Sequence, residues 1–305
     1  MIFTPKAQSI STQRTFKRKR FIVQARHHRL ILGSTTKIMG ILNITPDSFS
    51  QDGCLYHSRS VDQIVAKAHR MIREGADMID VGGESTRPGA KQISAQEEIR
   101  RIIPVIKKLS RLIKKPISVD TYKERVAREA LEAGASIVND ILGVALNKKL
   151  LRMVKNYKAA IILMHMRGTP RTMQKNIHYK NLINEIYGEL VKSIEKCLEI
   201  GIQSDRIIID PGIGFGKTVE HNCEIIQRLQ EFGYLNFPLL IGTSRKSFIG
   251  KVLKREVNER LMGTAATITA AIMNGAHIVR VHDVREIKDV AHMTDAIINQ
   301  RGNNS

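Results

Sequence analysis

Short apolar runs alternate with longer stretches of helical periodicity from Lys37 to the C-terminus of the chain. Each apolar run ends in polar residues, and the stretch after it repeats apolar residues three and four positions apart. Alternation of this kind predicts parallel strands joined by helices. The predicted strands are residues 38–44, 78–82, 117–120, 137–139, 160–165, 207–210, 239–242 and 278–282. Eight strand–helix units favour a single-domain (β/α)8 TIM barrel over an open doubly wound sheet.

Local signals mark the ends of the predicted helices. A Ser or Thr followed three residues later by Glu or Gln is the capping-box pattern of a helix start. The pattern occurs at Ser60, Ser94 and Thr121. Glycines that can close a helix in a left-handed turn precede three predicted strands, at Gly75, Gly134 and Gly275.

The first 36 residues differ from the rest of the chain, because they carry eight Lys or Arg residues and no acid. A basic, acid-free start resembles an organelle transit peptide, but it lacks the apolar block and small-residue cleavage site of a secretory signal. We expect a basic, disordered N-terminal extension or an over-long start. The predicted domains are therefore an extension at residues 1–36, one barrel at residues 37–300 and a tail at residues 301–305.

The chain carries a net charge of +20, of which about +12 remains once the eight cations of the extension are set aside. A basic surface favours anionic partners, whether nucleic acid, a membrane surface or a small phosphorylated substrate. The sequence has no known nucleic-acid-binding motif, so we do not expect nucleic acid as the main partner. No apolar run reaches the roughly 18 residues that cross a bilayer, so we expect no membrane partner.

Three cysteines occur, Cys54, Cys197 and Cys223, and none belongs to a Cys-x-x-Cys pair. Neither a disulfide framework nor a zinc site is indicated by this spacing. We therefore expect a reducing compartment and a cytoplasmic protein.

Polar residues follow every predicted strand, and in a parallel barrel the active site is built at these strand ends. One group is neutral or acidic and consists of Asp120, Asn139 and Asp210. A carboxylate can accept two N–H bonds from the edge of an amino-pyrimidine ring, so this group suits a flat heterocycle rich in donors.

A second group at the strand ends is cationic and consists of Lys246, Arg280 and His282, with Arg87 and Arg245 nearby. Cations at such positions suit an anion, above all a diphosphate that gains charge as it leaves. Together the two groups predict one pocket for a substrate with a heterocyclic end and an anionic end.

Each of these residues also has a simpler explanation. Asp120 could cap the following helix, Asn139 could form a turn, and His282 could be structural. The glycines at residues 212–216 are weak evidence of phosphate binding, and Pro211 stands where a Walker A loop needs its first glycine. The functional interpretation is favoured over these simpler ones only because all these residues fall at strand ends.

Several segments resemble one known family, in the family's own order. They are residues 43–49, 82–89, 118–121, 138–140, 210–212, 244–247 and 280–283. The family is dihydropteroate synthase, whose members are pterin-binding TIM barrels, and the resemblance covers about residues 37–300. It implies that a hydroxymethyl-dihydropterin diphosphate is joined to 4-aminobenzoate, with loss of diphosphate before the amine attacks. It also implies a homodimer.

The resemblance divides the site residues among three parts of the pocket. The pterin side holds Asp120, Asn139, Asp210 and Lys246, with apolar walls from Met164 and Phe215. The diphosphate side holds Asn43, Arg280 and His282, with Mg2+ bound through Asn43. The 4-aminobenzoate side holds Thr86, Arg87 and Ser244. The residues expected to be catalytic are Asp120, Lys246, Arg280 and His282.

One segment departs from the family pattern, because residues 50–54 read Ser-Gln-Asp-Gly-Cys where relatives more often continue into Asp-Gly-Gly. A rival interpretation is a pterin-binding methyltransferase of the same barrel type, which hands a methyl group to a corrinoid protein. Such an enzyme has no diphosphate to stabilise, so the cations at the strand ends favour the synthase. Sulfonamides resemble 4-aminobenzoate and should compete with it.

Overall fold

The computed structural model describes residues 18–44, 58–85, 90–142, 147–169 and 171–300. Its strands are β1 Phe21–Ala25, β2 His28–Leu32, β3 Lys37–Asn43, β4 Met78–Gly82, β5 Ile117–Asp120, β6 Ile137–Asp140, β7 Ala160–Met164, β8 Ile207–Asp210, β9 Leu240–Ile241 and β10 Ile278–Val281. Its helices are α1 Ser58–Arg73, α2 Ala95–Leu112, α3 Glu124–Glu132, α4 Lys148–Asn156, α5 Leu182–Ile200, α6 Val219–Gln227, α7 Ser247–Leu253, α8 Leu261–Met273 and α9 Val284–Gln300.

Strands β3 to β10 are parallel and follow the order β8-β7-β6-β5-β4-β3-β10-β9. A parallel bridge between Ile209 and Leu239 joins the two outer strands of that order. The amide of Ile209 also donates to the carbonyl of Pro238 at 3.0 Å. The sheet therefore closes on itself, which confirms the predicted (β/α)8 barrel, and each predicted strand end lies within one residue of the observed one.

The barrel strands are apolar on both faces, which is why they read as continuous apolar runs in the sequence. Outward side chains such as Ile79, Val81 and Val138 pack against the helices in the larger core. Inward side chains fill the lower part of the barrel, and these are Met39, Met78, Ile137, Ala160, Ile162, Ile208, Leu240 and Ile278.

Residues 18–36 were predicted to be disordered, and for this segment the prediction was wrong. Strands β1 and β2 pair as an antiparallel hairpin. On one face of the hairpin, Val23, Ala25, Leu30 and Leu32 are buried against the inward side chains of the barrel. The alternating burial along both strands explains the error, because the basic residues that dominate the composition hide a period-two apolar pattern.

Two arginines of the same segment tie the hairpin to the barrel. Arg18 is buried, donates to Thr36 Oγ1 at 2.6 Å and to the Ala276 carbonyl at 3.0 Å, and forms an ion pair with Asp295 of α9. Arg26 donates to the carbonyls of Leu131, near the end of α3, and Ala135, just before β6. Part of the unusual N-terminal charge is therefore structural, while residues 1–17 lie outside the described part of the chain.

The helix-end signals were partly confirmed. Ser94 caps α2 and accepts from the amide of Glu97 at 3.1 Å. Thr121 does not cap α3, because that helix begins at Glu124 and the Thr121 hydroxyl accepts instead from the amide of Lys123. Helix α1 begins at Ser58, so Ser60 lies inside it. The predicted left-handed glycines were confirmed at Gly75, Gly134 and Gly275. No helix in the described ranges is long and apolar enough to cross a membrane.

Candidate active site

Three predicted site residues lie on adjacent strands at one level of the barrel mouth. Asn43 pairs in register with Gly82, Gly82 with Asp120, and Asp120 with Asn139. Asp210 ends β8 and pairs with Met164 at the end of β7. Because parallel strands present their carboxyl ends at one edge, side chains far apart in sequence meet there.

An ion-pair network connects these strand ends from below. Arg280 lies deeper in the barrel, in register with Met39, and its long side chain rises toward the mouth. Its Nε donates to Asp80 Oδ2 at 2.6 Å and its Nη2 donates to Asp120 Oδ2 at 2.7 Å. The side-chain nitrogen Nδ2 of Asn139 donates to the same Asp80 oxygen at 3.1 Å. Arg280 is therefore held by two carboxylates rather than exposed as a surface charge.

Asp80 was missed by the sequence analysis, although the sequence carries a signal for it. It is an acid inside the apolar strand Met78-Ile79-Asp80-Val81-Gly82, and it is completely buried. Its position two residues before Gly82 places it on the same inward face. A charged residue in a fully buried strand requires a partner, and here the partner is Arg280.

The network leaves acceptor atoms of Asp120 and Asn139 for a ligand. Since the Asn139 nitrogen donates to Asp80, its Oδ1 is the atom left to accept, an orientation assigned from the hydrogen bonds. Asp120 Oδ1 is buried and has no hydrogen-bond partner among the described residues. The simpler explanations of these two residues do not hold. Asp120 does not cap α3, because the capping position belongs to Lys123, and Asn139 lies within strand β6 rather than in a turn.

The loop after β8 completes the heterocycle side of the pocket. Asp210 Oδ1 accepts from the amide of Gly212 at 2.7 Å. Lys246 donates to the carbonyl of Ile213 and its ammonium lies 4.5 Å from the centre of the Phe215 ring. Phe215 and Met164 belong to one apolar cluster, which also contains Ile141, Met166 and Met173. The structure thus brings the predicted pterin-side residues together.

Burial shifts the pKa values of the charged groups in this pocket. It raises the pKa of Asp120 to about 7, against the opposing effect of Arg280 and with the support of Asp80. It lowers the pKa of Lys246 to about 8, although Asp210 favours the charged form. Burial also disfavours the charge of Arg280, but Asp80 and Asp120 more than offset it and raise that pKa.

His282 and Ser244 form a second pair at the mouth, 3.0 Å apart between Oγ and Nδ1. Burial, together with the nearby charges of Arg280 and Arg245, lowers the pKa of His282 to about 3. His282 is therefore neutral near pH 7, which corrects its grouping with the cations. Arg245 forms an ion pair with Asp283 and adopts a left-handed backbone with φ of 57°.

Two side-chain oxygens lie close together at the mouth, where the predicted magnesium ion would bind through Asn43. A Cβ built on Gly82 would lie 3.5 Å from Asn43 Oδ1 and 3.7 Å from Asp120 Oδ2, so these two oxygens lie over the same glycine. Among the described residues, no group of three His, Cys, Asp or Glu side chains could hold a metal. Mg2+ prefers oxygen ligands and commonly takes only one or two from the protein when phosphates supply others.

The predicted residues Thr86 and Arg87, like the departing segment at residues 50–54, lie outside the described residues. The described flanks of residues 86–89 are tied together. Glu84 accepts from the amide of Ile93 at 3.1 Å and from the Tyr122 hydroxyl at 2.9 Å, and it forms an ion pair with Lys123.

The sequence matches the pterin binding enzyme family over residues 39–282. It is 46% identical over 266 residues to a dihydropteroate synthase of Synechocystis, an alignment that covers 87% of this chain and 91% of the relative. The family match begins within β3 and ends one residue after β10.

Two solved structures are similar to this one. A dihydropteroate synthase of Clostridium difficile, crystallised with pteroic acid, has a TM-score of 0.81 and 46% identity, covering 87% of this chain and 98% of that one. A dihydropteroate synthase of Xanthomonas albilineans with 4-aminobenzoic acid has a TM-score of 0.83 and 37% identity, covering 92% and 98% of the two chains.

Proposed function

The chain belongs to the dihydropteroate synthases, a family of pterin-binding enzymes, and from that membership we propose how its barrel-mouth residues divide the reaction. The enzyme is a transferase of folate biosynthesis that condenses 6-hydroxymethyl-7,8-dihydropterin diphosphate with 4-aminobenzoate. This membership decides against the methyltransferase alternative. The observation that carries the division of roles is the network in which Arg280 joins Asp80, Asp120 and, through Asp80, Asn139.

In this proposal the pterin ring binds to Asp120, Asn139 and Asp210. Asp120 Oδ1, which has no partner among the described residues, and Asn139 Oδ1, the acceptor of its amide, support the role, because the amino-pyrimidine edge of a pterin carries several N–H donors. Lys246 contacts the ring from strand β9's loop, and Met164 and Phe215 cover its apolar faces. The shared apolar cluster of these last two residues supports that assignment.

The diphosphate binds on the opposite side, beside Arg280, His282 and Asn43. Arg280 is permanently cationic and is oriented by Asp80, so it faces a developing anion without rearranging. His282 is neutral and contributes a hydrogen bond rather than a charge. Asn43 would hold Mg2+, which when bound offsets negative charge on the diphosphate oxygens.

The reaction breaks the bond between the pterin methylene carbon and the diphosphate oxygen, and the bonding electrons leave with the diphosphate. The cation that remains is stabilised by the pterin ring. The neutral amine of 4-aminobenzoate then forms the C–N bond, and its proton passes to the released diphosphate or to water. The protein supplies orientation and charge stabilisation, so catalysis needs no nucleophilic side chain.

The second substrate binds beside Ser244, and Thr86 and Arg87 are the further residues predicted to contact it. Ser244 is buried at the mouth and hydrogen-bonded to His282, so it can receive the aromatic ring beside the diphosphate. Sulfonamides share the arylamine of 4-aminobenzoate and are expected to compete for this side of the pocket.

We also propose a cytoplasmic homodimer. A patch of exposed apolar side chains around α7 and the start of α8 supports the dimer, namely Val252 at 57%, Leu253 at 46%, Val257 at 39% and Met262 at 78% exposure. Both cysteines in the described ranges, Cys197 and Cys223, are free thiols, as a reducing compartment requires. Sedimentation of the wild type and of Met262→Arg tests the dimer, since a charge in the interface should give monomers.

Diphosphate release, measured with and without 4-aminobenzoate and followed by identification of the pterin product, tests the proposed roles. Asp210→Ala should weaken pterin binding by at least about 100-fold, because a buried carboxylate that accepts two N–H bonds from the ring is lost, while thermal unfolding still shows a folded barrel. Asp205→Ala, an exposed acid just before β8, is the control and should bind normally. Normal pterin affinity in Asp210→Ala would refute the pterin assignment.

A further inference from the structure

Lys217 has a buried amino group for which the reaction has no use. The residue is only 3% exposed, although lysine is rarely buried without a specific partner. Its Nζ lies 3.0 Å from Nδ1 of His165 and donates to the carbonyl of Phe215 at 3.0 Å. Lys217 therefore connects the loop after β8 to the residue that follows β7.

His165 passes this connection on to α5. Its Nε2 lies 2.9 Å from Glu189 Oε2, and Glu189 also accepts from Arg167 Nε at 2.9 Å. Burial and the charge of Lys217 lower the pKa of His165 to about 4, so the ring is neutral near pH 7. Because Nδ1 accepts from Lys217, the single proton of the neutral ring lies on Nε2, the nitrogen nearest Glu189.

The loop that Lys217 closes is fixed along most of its length. The Gly214 amide donates to Asn222 Oδ1 at 2.6 Å, and the Gly214 carbonyl accepts from Gln174 at 3.0 Å. The Gly216 carbonyl accepts from the Tyr179 hydroxyl at 3.1 Å. Of these partners Gln174 is exposed and Tyr179 is half-buried, whereas Asn222 is buried, as are Lys217 and His165.

Three pterin contacts depend on where this loop lies. Asp210 begins it and accepts from the Gly212 amide, Phe215 stands within it, and Lys246 donates to its Ile213 carbonyl. A shift of the loop would therefore move a carboxylate, an aromatic wall and a cation together. Gly212 packs directly against the carbonyl of His165, because a Cβ there would lie 1.9 Å from that oxygen.

We propose that Lys217 is a positioning residue for pterin binding, which it serves by anchoring residues 211–217 to His165 and, through it, to Glu189. The inference rests on the proposed pterin site and deepens it. Lys217 does not touch the pterin or the reacting atoms. Loss of its amino group leaves the Phe215 carbonyl and His165 Nδ1 without a buried donor, so the loop is free to move away from the ring.

Kinetics of Lys217→Met test the proposal, since methionine keeps the apolar stem and removes the donors. We expect the KM for the dihydropterin diphosphate to rise at least about tenfold, while the KM for 4-aminobenzoate and the kcat at saturating pterin change less than about threefold. Lys217→Gln, whose amide can still donate, should recover part of the pterin affinity. Lys175→Met, an exposed lysine on the neighbouring loop, is the matched control and should behave as wild type.

A purely structural lysine predicts a different result, namely a lower melting temperature with unchanged KM values in the folded fraction, and that result would overturn the proposal. If Lys217→Met does not fold, Glu189→Gln tests the proposal instead. This substitution removes the carboxylate charge beside His165, and because Glu189 is only half-buried the variant should still fold. A raised pterin KM in that variant supports the inference and an unchanged one refutes it. Turnover by the wild type in the same assay separates failure here from failure of the proposed function.

Discussion

Asp120 and Lys246 lie in one pocket, and burial moves their pKa values toward each other. The pKa of the Asp120 carboxyl rises to about 7 and that of the Lys246 ammonium falls to about 8. Loss of hydration disfavours the charged form of each group, whichever its sign. Both charged forms are expected to bind the pterin, so these two residues limit the pH range in which the site is competent.

We therefore expect a bell-shaped pH profile of kcat/KM for the pterin substrate. The value should fall as pH decreases through about 7, where Asp120 gains a proton, and fall again as pH rises through about 8, where Lys246 loses one. Lys246→Arg should keep the acid limb and remove the alkaline limb, because guanidinium stays charged. A flat profile between about pH 6 and pH 9 would contradict this assignment.

At the scale of elements, the loop after β8 depends on glycines whose absent side chains leave room for the pocket. Gly214 has a left-handed backbone with φ of 82°, and a Cβ on it would lie 2.9 Å from Cδ of Lys246. Few L-residues adopt this conformation without strain. The glycine therefore serves both the turn and the position of the lysine.

Gly214→Ala should displace Lys246 and raise the KM for the pterin substrate about tenfold, with a loss of stability of about 1 kcal/mol from the strained backbone. Gly188→Ala is the control, because that glycine lies in α5 with no atom within 4 Å of the added Cβ. It should leave KM unchanged and stabilise the helix slightly. Steady-state kinetics and thermal unfolding of both variants would reveal a wrong assignment if Gly214→Ala kept wild-type KM.

The β1–β2 hairpin is an element of stability on the face of the barrel opposite the active site. Leu32 is completely buried there, while its neighbour Ile31 is 56% exposed. Leu32→Ala should lower the free energy of unfolding by about 3 kcal/mol, and Ile31→Ala by less than about 0.5 kcal/mol. Denaturant titration measures both, and the KM values of folded Leu32→Ala should match wild type. An equal effect of the two substitutions would argue against the buried hairpin.

At the scale of the whole molecule, the two ends of the barrel sequence are tied together. Arg18 before the hairpin and Asp295 near the end of α9 form a buried ion pair, and Asp295 also accepts from the amide and hydroxyl of Thr36. A ring of strands has no free edge, and this contact fastens the first described segment to the last helix. The basic segment therefore contributes to closure of the fold.

Asp295→Ala should destabilise the protein by about 3 kcal/mol, because it leaves the Arg18 guanidinium buried without its counter-ion. Asp289→Ala, an exposed acid on the same helix, should cost less than about 0.5 kcal/mol. Unfolding monitored by circular dichroism gives both values. If the two variants were equally stable, the ion pair would not hold the segment before β1 to α9 as described.

The amino-acid sequence by itself determined the eight barrel strands and the strand-end residues Asp120, Asn139 and Asp210. It could do so because strands buried on both faces read as apolar runs, and a polar residue that ends such a run stands out. It also carried the family resemblance. Each of these signals is local, lying within a few residues of the position it predicts.

Only the tertiary structure decided which of those residues bind one another and in what charge state. Arg280 meets Asp80 across 200 positions of sequence, and Lys217 meets His165 across 52. Such pairs depend on the register of the closed barrel, which no local pattern encodes. The same holds for the pKa of His282, which follows from burial, and for the hairpin, whose four inward side chains become a core only where the barrel covers them.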